Sequence, residues 1–145
     1  MRRTVVALAV LAVAVGCGSD ENEDLGSAPA LSNLLYAPNT AQQGQGDGVV
    51  EARGRVDFVD PDGDLAFVRL STQQCGQGPM QHDDRQTPEV VQGVTSGRLS
   101  LQAWIDTDCP PDTYVAELQC FDEKGNGSNV LYAPFTITAN ETKTP

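Results

Sequence analysis

Histidine is almost missing from this chain of 145 residues, where His82 stands alone. That leaves a single residue for an imidazole metal centre or for a histidine base beside a nucleophile. His82 lies in Gln81-His82-Asp83-Asp84, a polar stretch that reads as a solvated loop, and consecutive residues of an extended chain do not converge on one ion. No serine-nucleophile elbow, phosphate-cradling glycine loop or zinc-ligand spacing occurs. The sequence therefore predicts a protein that is not an enzyme. Basic side chains are scarce as well: 9 Lys and Arg face 20 Asp and Glu, for a formal charge of −11. With no polybasic patch, nucleic acid and anionic lipid surfaces are excluded as electrostatic partners. Helical periodicity is missing throughout. The one long apolar run, Val5–Val15, falls short of the roughly 20 residues that span a bilayer.

That run follows Met1-Arg2-Arg3 and closes on small residues, the layout of a secretory signal. Its end, Ala14-Val15-Gly16-Cys17, resembles the bacterial lipobox, although Leu and then Ser or Ala are usual where Ala14 and Val15 stand. The resemblance implies removal of residues 1–16, acylation of Cys17, and a membrane partner reached through that lipid anchor. Two or three acyl chains hold stably where one is marginal. An ordinary signal cut nearby would instead leave Cys17 a plain thiol. Removing residues 1–16 leaves 7 basic against 20 acidic side chains, a charge of −13. Gly18 stands where an aspartate would resemble an inner-membrane retention signal of enteric bacteria, so outer-membrane residence is expected in the cell envelope. Residues 17–29, lipidated Cys17 followed by GSDENEDLGSAP, are too polar to offset their ordering entropy and read as a disordered tether. Residues 139–145 read as a flexible tail.

Residues 30–138 are organised around Val56–Leu70 (VDFVDPDGDLAFVRL), where two apolar alternations flank a turn on Pro61 and Gly63. Val50, Ala52, Gly54, Val56 and Phe58 form an inward face; Ala66, Val68 and Leu70 continue after the turn. Leu99, Leu101, Ala103 and Ile105 repeat the pattern, as do Tyr114, Ala116, Leu118 and Cys120. Leu31–Pro38 and Val130–Thr138 supply a first and a last strand, and Glu89–Val94 a short edge strand. Ala41–Gly48 and the polar Gln73–Thr87 read as loops, the latter as the contact surface. About seven short strands with turns every 8–12 residues predict an all-β protein, one Greek-key β-sandwich. Ser32–Pro38 and Ser128–Pro134 echo each other (SNLLYAP, SNVLYAP) and read as two edge strands in which Pro marks where pairing stops.

The pattern VDFVDPDGDL…DTYVAELQCFDEKGNGSN resembles bacterial immunoglobulin-like (Ig-like) domains of the PKD and cadherin type, over about Ala30–Thr138. The resemblance implies an Ig-like fold and leaves function open, since such modules carry many roles. Tyr114 matches the tyrosine corner, whose hydroxyl bonds the backbone of the preceding turn. The Cys–Trp–Cys signature of antibody domains is absent, and Trp104 falls on the outward parity of its strand. In the implied topology the third and sixth predicted strands pair antiparallel, which brings Cys75 and Cys109 to one end and implies a Cys75–Cys109 disulfide, export permitting. Cys120 lies about 35 Å from Cys109 along one extended strand and shares parity with Leu118, so it reads as a buried thiol.

The same topology gathers Asp60, Asp62, Asp64 and Asp122 at the opposite end. Two readings stand for them: oxygen ligands for Ca²⁺, or side-chain caps of tight turns. The spacing is not that of an EF-hand, because Ser71 occupies the place of its final Glu. No other cofactor is implied. The expected function is a non-catalytic binding or structural module on a lipid anchor, with a protein or glycan partner. The alternatives are a Ca²⁺-stabilised adhesion-type domain and an accessory domain of an envelope enzyme system.

Overall fold

The computed structural model describes residues 26–86 and 91–140. The signal segment, Cys17, most of the tether and residues 141–145 lie outside them. Eight strands follow one another: β1 (Ala30–Ala37), β2 (Thr40–Gln42), β3 (Val49–Val59), β4 (Leu65–Gln74), β5 (Gln77–Gln86), β6 (Ser96–Asp106), β7 (Asp112–Asp122) and β8 (Leu131–Thr138). They pair into two sheets, β1-β3-β6 and β2-β8-β7-β4-β5, antiparallel except where β2 runs parallel to β8. This is an Ig-like β-sandwich.

The strict alternation of β3 carries the smaller sheet. Its even residues face inward, with Val56 and Phe58 buried, while Asp57 on the outer face pairs with Arg98 of β6 at 2.6 Å. The β3–β6 register runs unbroken from Val49 opposite Asp106 to Val59 opposite Ser96. In β4 the alternation slips: a register shift against β7 between Leu65 and Phe67 turns both Leu65 and Val68 into the core. On the outer face of that sheet, Phe67 stacks on Phe121 at 4.9 Å, and the Arg69 guanidinium lies over both rings.

Several expectations are corrected. Gln73–Thr87 is not a loop: the chain turns at Cys75-Gly76 and returns as β5, in a hairpin with β4. It reads as a loop because β5 is an edge strand with polar residues on both faces, a usual defence against edge-to-edge pairing. His82 therefore sits on a strand, its Nδ1 2.8 Å from Ser71 Oγ. Of Glu89–Val94, the described part, Val91–Val94, is a turn closed by Val94 N–H to Val91 C=O, and buried Val91 fills the core instead of pairing. The loop expected from Ala41 contains part of β2, which makes the count eight.

The two echoed segments are not a pair of edge strands. β1 edges one sheet; β8 lies inside the other, beside β2 only from Thr136 to Thr138. Pro134 falls in the stretch β2 does not reach, so its missing N–H costs no ladder bond there. β1 meets this open side. The Tyr36 hydroxyl donates to the Pro134 carbonyl, and the Asn129 amide brackets Leu31, accepting from its N–H at 2.8 Å and donating to its C=O at 3.1 Å. Asn33, at φ 52°, makes the bulge that lets β1 bend toward β8.

Candidate functional site

The core has two parts. Leu31, Val56, Phe58, Leu65, Val68, Leu99, Leu118 and Cys120 pack at the Asp-rich end; Ala41, Cys109, Phe135 and Ile137 pack at the disulfide end. Between them the inward positions turn small. Ala52 faces across to Ala103 in one sheet, and Ala116 to Ala133 in the other. Gly54 completes the layer and cannot be enlarged: a Cβ there would stand 2.7 Å from the Leu35 carbonyl oxygen, where β1 crosses closely. Small side chains from both sheets at one level leave the inter-sheet space unfilled, an exception to the close packing in which cores hold few voids larger than a water molecule. The result is a cavity of about 460 Å³, walled by Leu70, Leu101, Ile105, Leu118 and Phe135 besides those small residues. That volume lies within the range of small-molecule sites, about 300–1,000 Å³.

The cavity reaches the flank where the edge strands β5 and β6 face each other. Arg85 stands opposite inward-facing Val68, Asp83 opposite Leu70 and Gln81 opposite Thr72, so these β5 residues point into the inter-sheet space at its rim. Arg85 is paired with Asp83 at 2.5 Å and lies 5.6 Å from the ring of Trp104, which is 61% exposed. Arg53, also at the rim, is paired with Glu51 at 2.6 Å. The rim's remaining polar groups are Gln73, Gln74, Gln81, Gln102 and Thr72. Sequence reading found the inward parity of these strands and the outward Trp104. It missed the layer, although Ala52, Gly54, Ala103, Ala116 and Ala133 are visible as small residues in four inward faces.

Below the cavity, Cys75 and Cys109 form the disulfide the Ig-like topology implies, with Cα atoms 5.2 Å apart. Cys75 takes a left-handed backbone, φ 46°, at the β4–β5 turn. The Tyr114 hydroxyl donates to the Pro110 carbonyl at 2.6 Å, which is the tyrosine corner. Cys120 is a free, buried thiol; burial pushes its pKa up to about 11, against a hydrogen bond with Ser128 that lowers it, and nearby Asp60 adds to the rise.

At the far end the four aspartates part company. Asp62 accepts from the Ser27 N–H at 2.5 Å. Asp122 caps the following turn, one oxygen taking the Asn126 N–H and the other the Asn126 side-chain amide, both at 2.7 Å. Asp60 is fully buried. The N–H groups of Asp62, Asp64 and Leu65 face its carboxylate and stabilise the charge, but none closes a hydrogen bond of ordinary geometry. Burial outweighs them, with the Asp64 charge adding to it, and the Asp60 pKa rises. Asp64 Oδ1 is likewise buried without a partner. Among the described residues, the group of three potential ligands that lies within 4.8 Å is Cys75, Asp106 and Cys109, whose sulfurs are bonded to each other. Ser71 and His82 hydrogen-bond on the flat outer face of the larger sheet, as a cross-strand pair.

No family model matches the chain, and no curated protein matches it in sequence. Among solved structures it is similar to the PKD domain of an M14-like peptidase from Thermoplasmatales archaeon SCGC AB-540-F20, with 15% identity and a TM-score of 0.47 over 76% of this chain and 92% of that one. It is also similar to the SrpA adhesin (R347E mutant) of Streptococcus sanguinis, with 16% identity and a TM-score of 0.48 over 81% of this chain and 61% of that one. The likeness is one of fold.

Proposed function

We propose that this protein is a non-catalytic envelope lipoprotein: an Ig-like binding or structural module held to the outer membrane through acylated Cys17. The observation that carries the reading is the Cys75–Cys109 disulfide, which joins the β4–β5 turn to the turn before β7. Such a bond belongs to an oxidising compartment, as does a chain that opens on a secretory signal. The partner is a protein or glycan, met on the exposed edge of β5 and on the outer sheet face that carries Val115 and Tyr132. Metabolic labelling with an alkyne-tagged fatty acid tests the anchor. Label on the full chain and its loss in Cys17→Ser are expected; an unlabelled, fully exported wild type sinks the reading.

A second reading rests on Asp60 and Asp64. Their buried oxygens without partners fit a hard cation such as Ca²⁺, which seeks several carboxylate ligands. The other two residues fit it less well, because Asp62 and Asp122 are already engaged with Ser27 and Asn126. In this reading Asp60 and Asp64 hold the ion and the loop Asp60–Asp64 is stabilised by it.

A further inference from the structure

We infer that the inter-sheet cavity is a binding site for an uncharged, largely apolar small molecule, a hydrocarbon chain or ring skeleton carrying one hydrogen-bonding group. The inference stands apart from the reading of Cys17 as an anchor, so failure of either leaves the other standing. A void of about 460 Å³ in a domain of this size forfeits contacts that larger side chains would make. Its walls are aliphatic and aromatic, from Leu70, Leu101, Ile105 and Leu118 to Phe135. A cleft with such walls takes apolar guests.

The rim decides the class. Both arginines there are matched by acids of their own strands, Arg85 by Asp83 and Arg53 by Glu51, so no unmatched cation waits for an anionic head group. The chain as a whole carries −11, which repels anions. Among the described residues no carboxylate lines the interior to hold a cation; Asp106, the acid among the lining residues, is exposed at the edge. What remains at the rim is neutral: the amides of Gln74 and Gln81 and the hydroxyl of Thr72, while the amide of Gln102 donates to Glu51 and that of Gln73 to the Gly78 carbonyl. These suit an alcohol, amide or carbonyl at the outer end of a guest whose body lies between the sheets. Trp104 and Arg85 meet beside the entrance from opposite sheets.

The test uses the full chain carrying Cys17→Ser in detergent-free buffer, with the neutral fluorophore N-phenyl-1-naphthylamine as probe. Trp104 is the single tryptophan, so energy transfer from it reports binding at this flank. Saturable binding with one probe per chain is expected, displaced by decanol at concentrations at least about tenfold below those of decanoate, because the carboxylate would enter unpaired. Ala116→Leu with Ala133→Leu fills the layer and is expected to weaken the probe at least about tenfold while the melting temperature holds or rises. If that pair does not fold, Ala103→Leu in the opposite sheet reads the same loss. No saturable binding, or binding untouched by the filling variants, overturns the site. Equal displacement by decanoate overturns the neutral class.

Discussion

Removing the Cys75–Cys109 bond should destabilise the domain by an amount the structure sets in advance. The bridge closes a separation of 34 residues, and the chain-entropy model then gives about 3.8 kcal/mol at 25 °C. For a domain of about 110 residues that corresponds to a fall of roughly 15 °C in melting temperature. A second magnitude follows from the backbone. Cys75 is held at φ 46°, a conformation that costs a residue with a Cβ about 1 kcal/mol and glycine almost nothing. The double variant Cys75→Gly with Cys109→Ala should therefore lose about 1 kcal/mol less than Cys75→Ala with Cys109→Ala. Urea unfolding of both against the oxidised wild type reads the difference. The m-value should rise in both variants, because an unbridged unfolded chain exposes more surface. A loss under about 1 kcal/mol, or equal losses in the Gly and Ala variants, would refute the reasoning.

Other consequences are as direct. Tyr114→Phe removes the hydroxyl that donates to Pro110 C=O and should lower stability by about 1 kcal/mol with an unchanged m-value, measured by urea unfolding. Cys120 should resist a thiol-disulfide reagent at pH 8 in the native, oxidised Cys17→Ser chain and react one-to-one once unfolded, since burial holds its pKa near 11. Asp60, with its pKa raised by burial, binds a proton more readily folded than unfolded, so in EDTA stability should grow as pH falls from neutrality through its folded pKa. Asp60→Asn should flatten that rise. In millimolar Ca²⁺ the same substitution should abolish any metal-dependent gain in melting temperature, and a gain that survives it places the ion elsewhere.

Much of this fold was legible because strand periodicity is a local signal. Val50 through Phe58 alternate without a break, and the structure keeps that parity to the residue. The Asp60–Asp64 turn, the tyrosine corner and the cysteine pairing were legible for a related reason: turn residues and an Ig-like topology fix which ends meet. β5 was not legible, because an edge strand needs no apolar face and Gln77–Gln86 has none. The slip at Leu65 depends on how β7 pairs with β4, which no window of β4 reveals. The cavity lay in plain sight as small residues, but a layer exists only once the registers of β3 with β6 and of β7 with β8 are known. Asp62 and Asp122 were read together, whereas their oxygens answer to different neighbours, Ser27 and Asn126.

The bond from Ser27 N–H to Asp62 also fixes a direction. It ties the chain to the Asp60–Asp64 end just before β1 begins, so a lipid on Cys17 would hang from that end of the sandwich, with Thr138 and the disulfide at the other. Gly26 stands nine positions after Cys17, and a chain of nine such steps reaches at most about 32 Å. Such an anchor would keep the domain within that reach of the bilayer, tethered at its carboxylate-bearing pole. An anionic leaflet would push that pole away, while divalent cations held between the two would draw it in. The β5–β6 flank lies along the side of the sandwich, between that pole and the disulfide end, so the anchor would leave it uncovered.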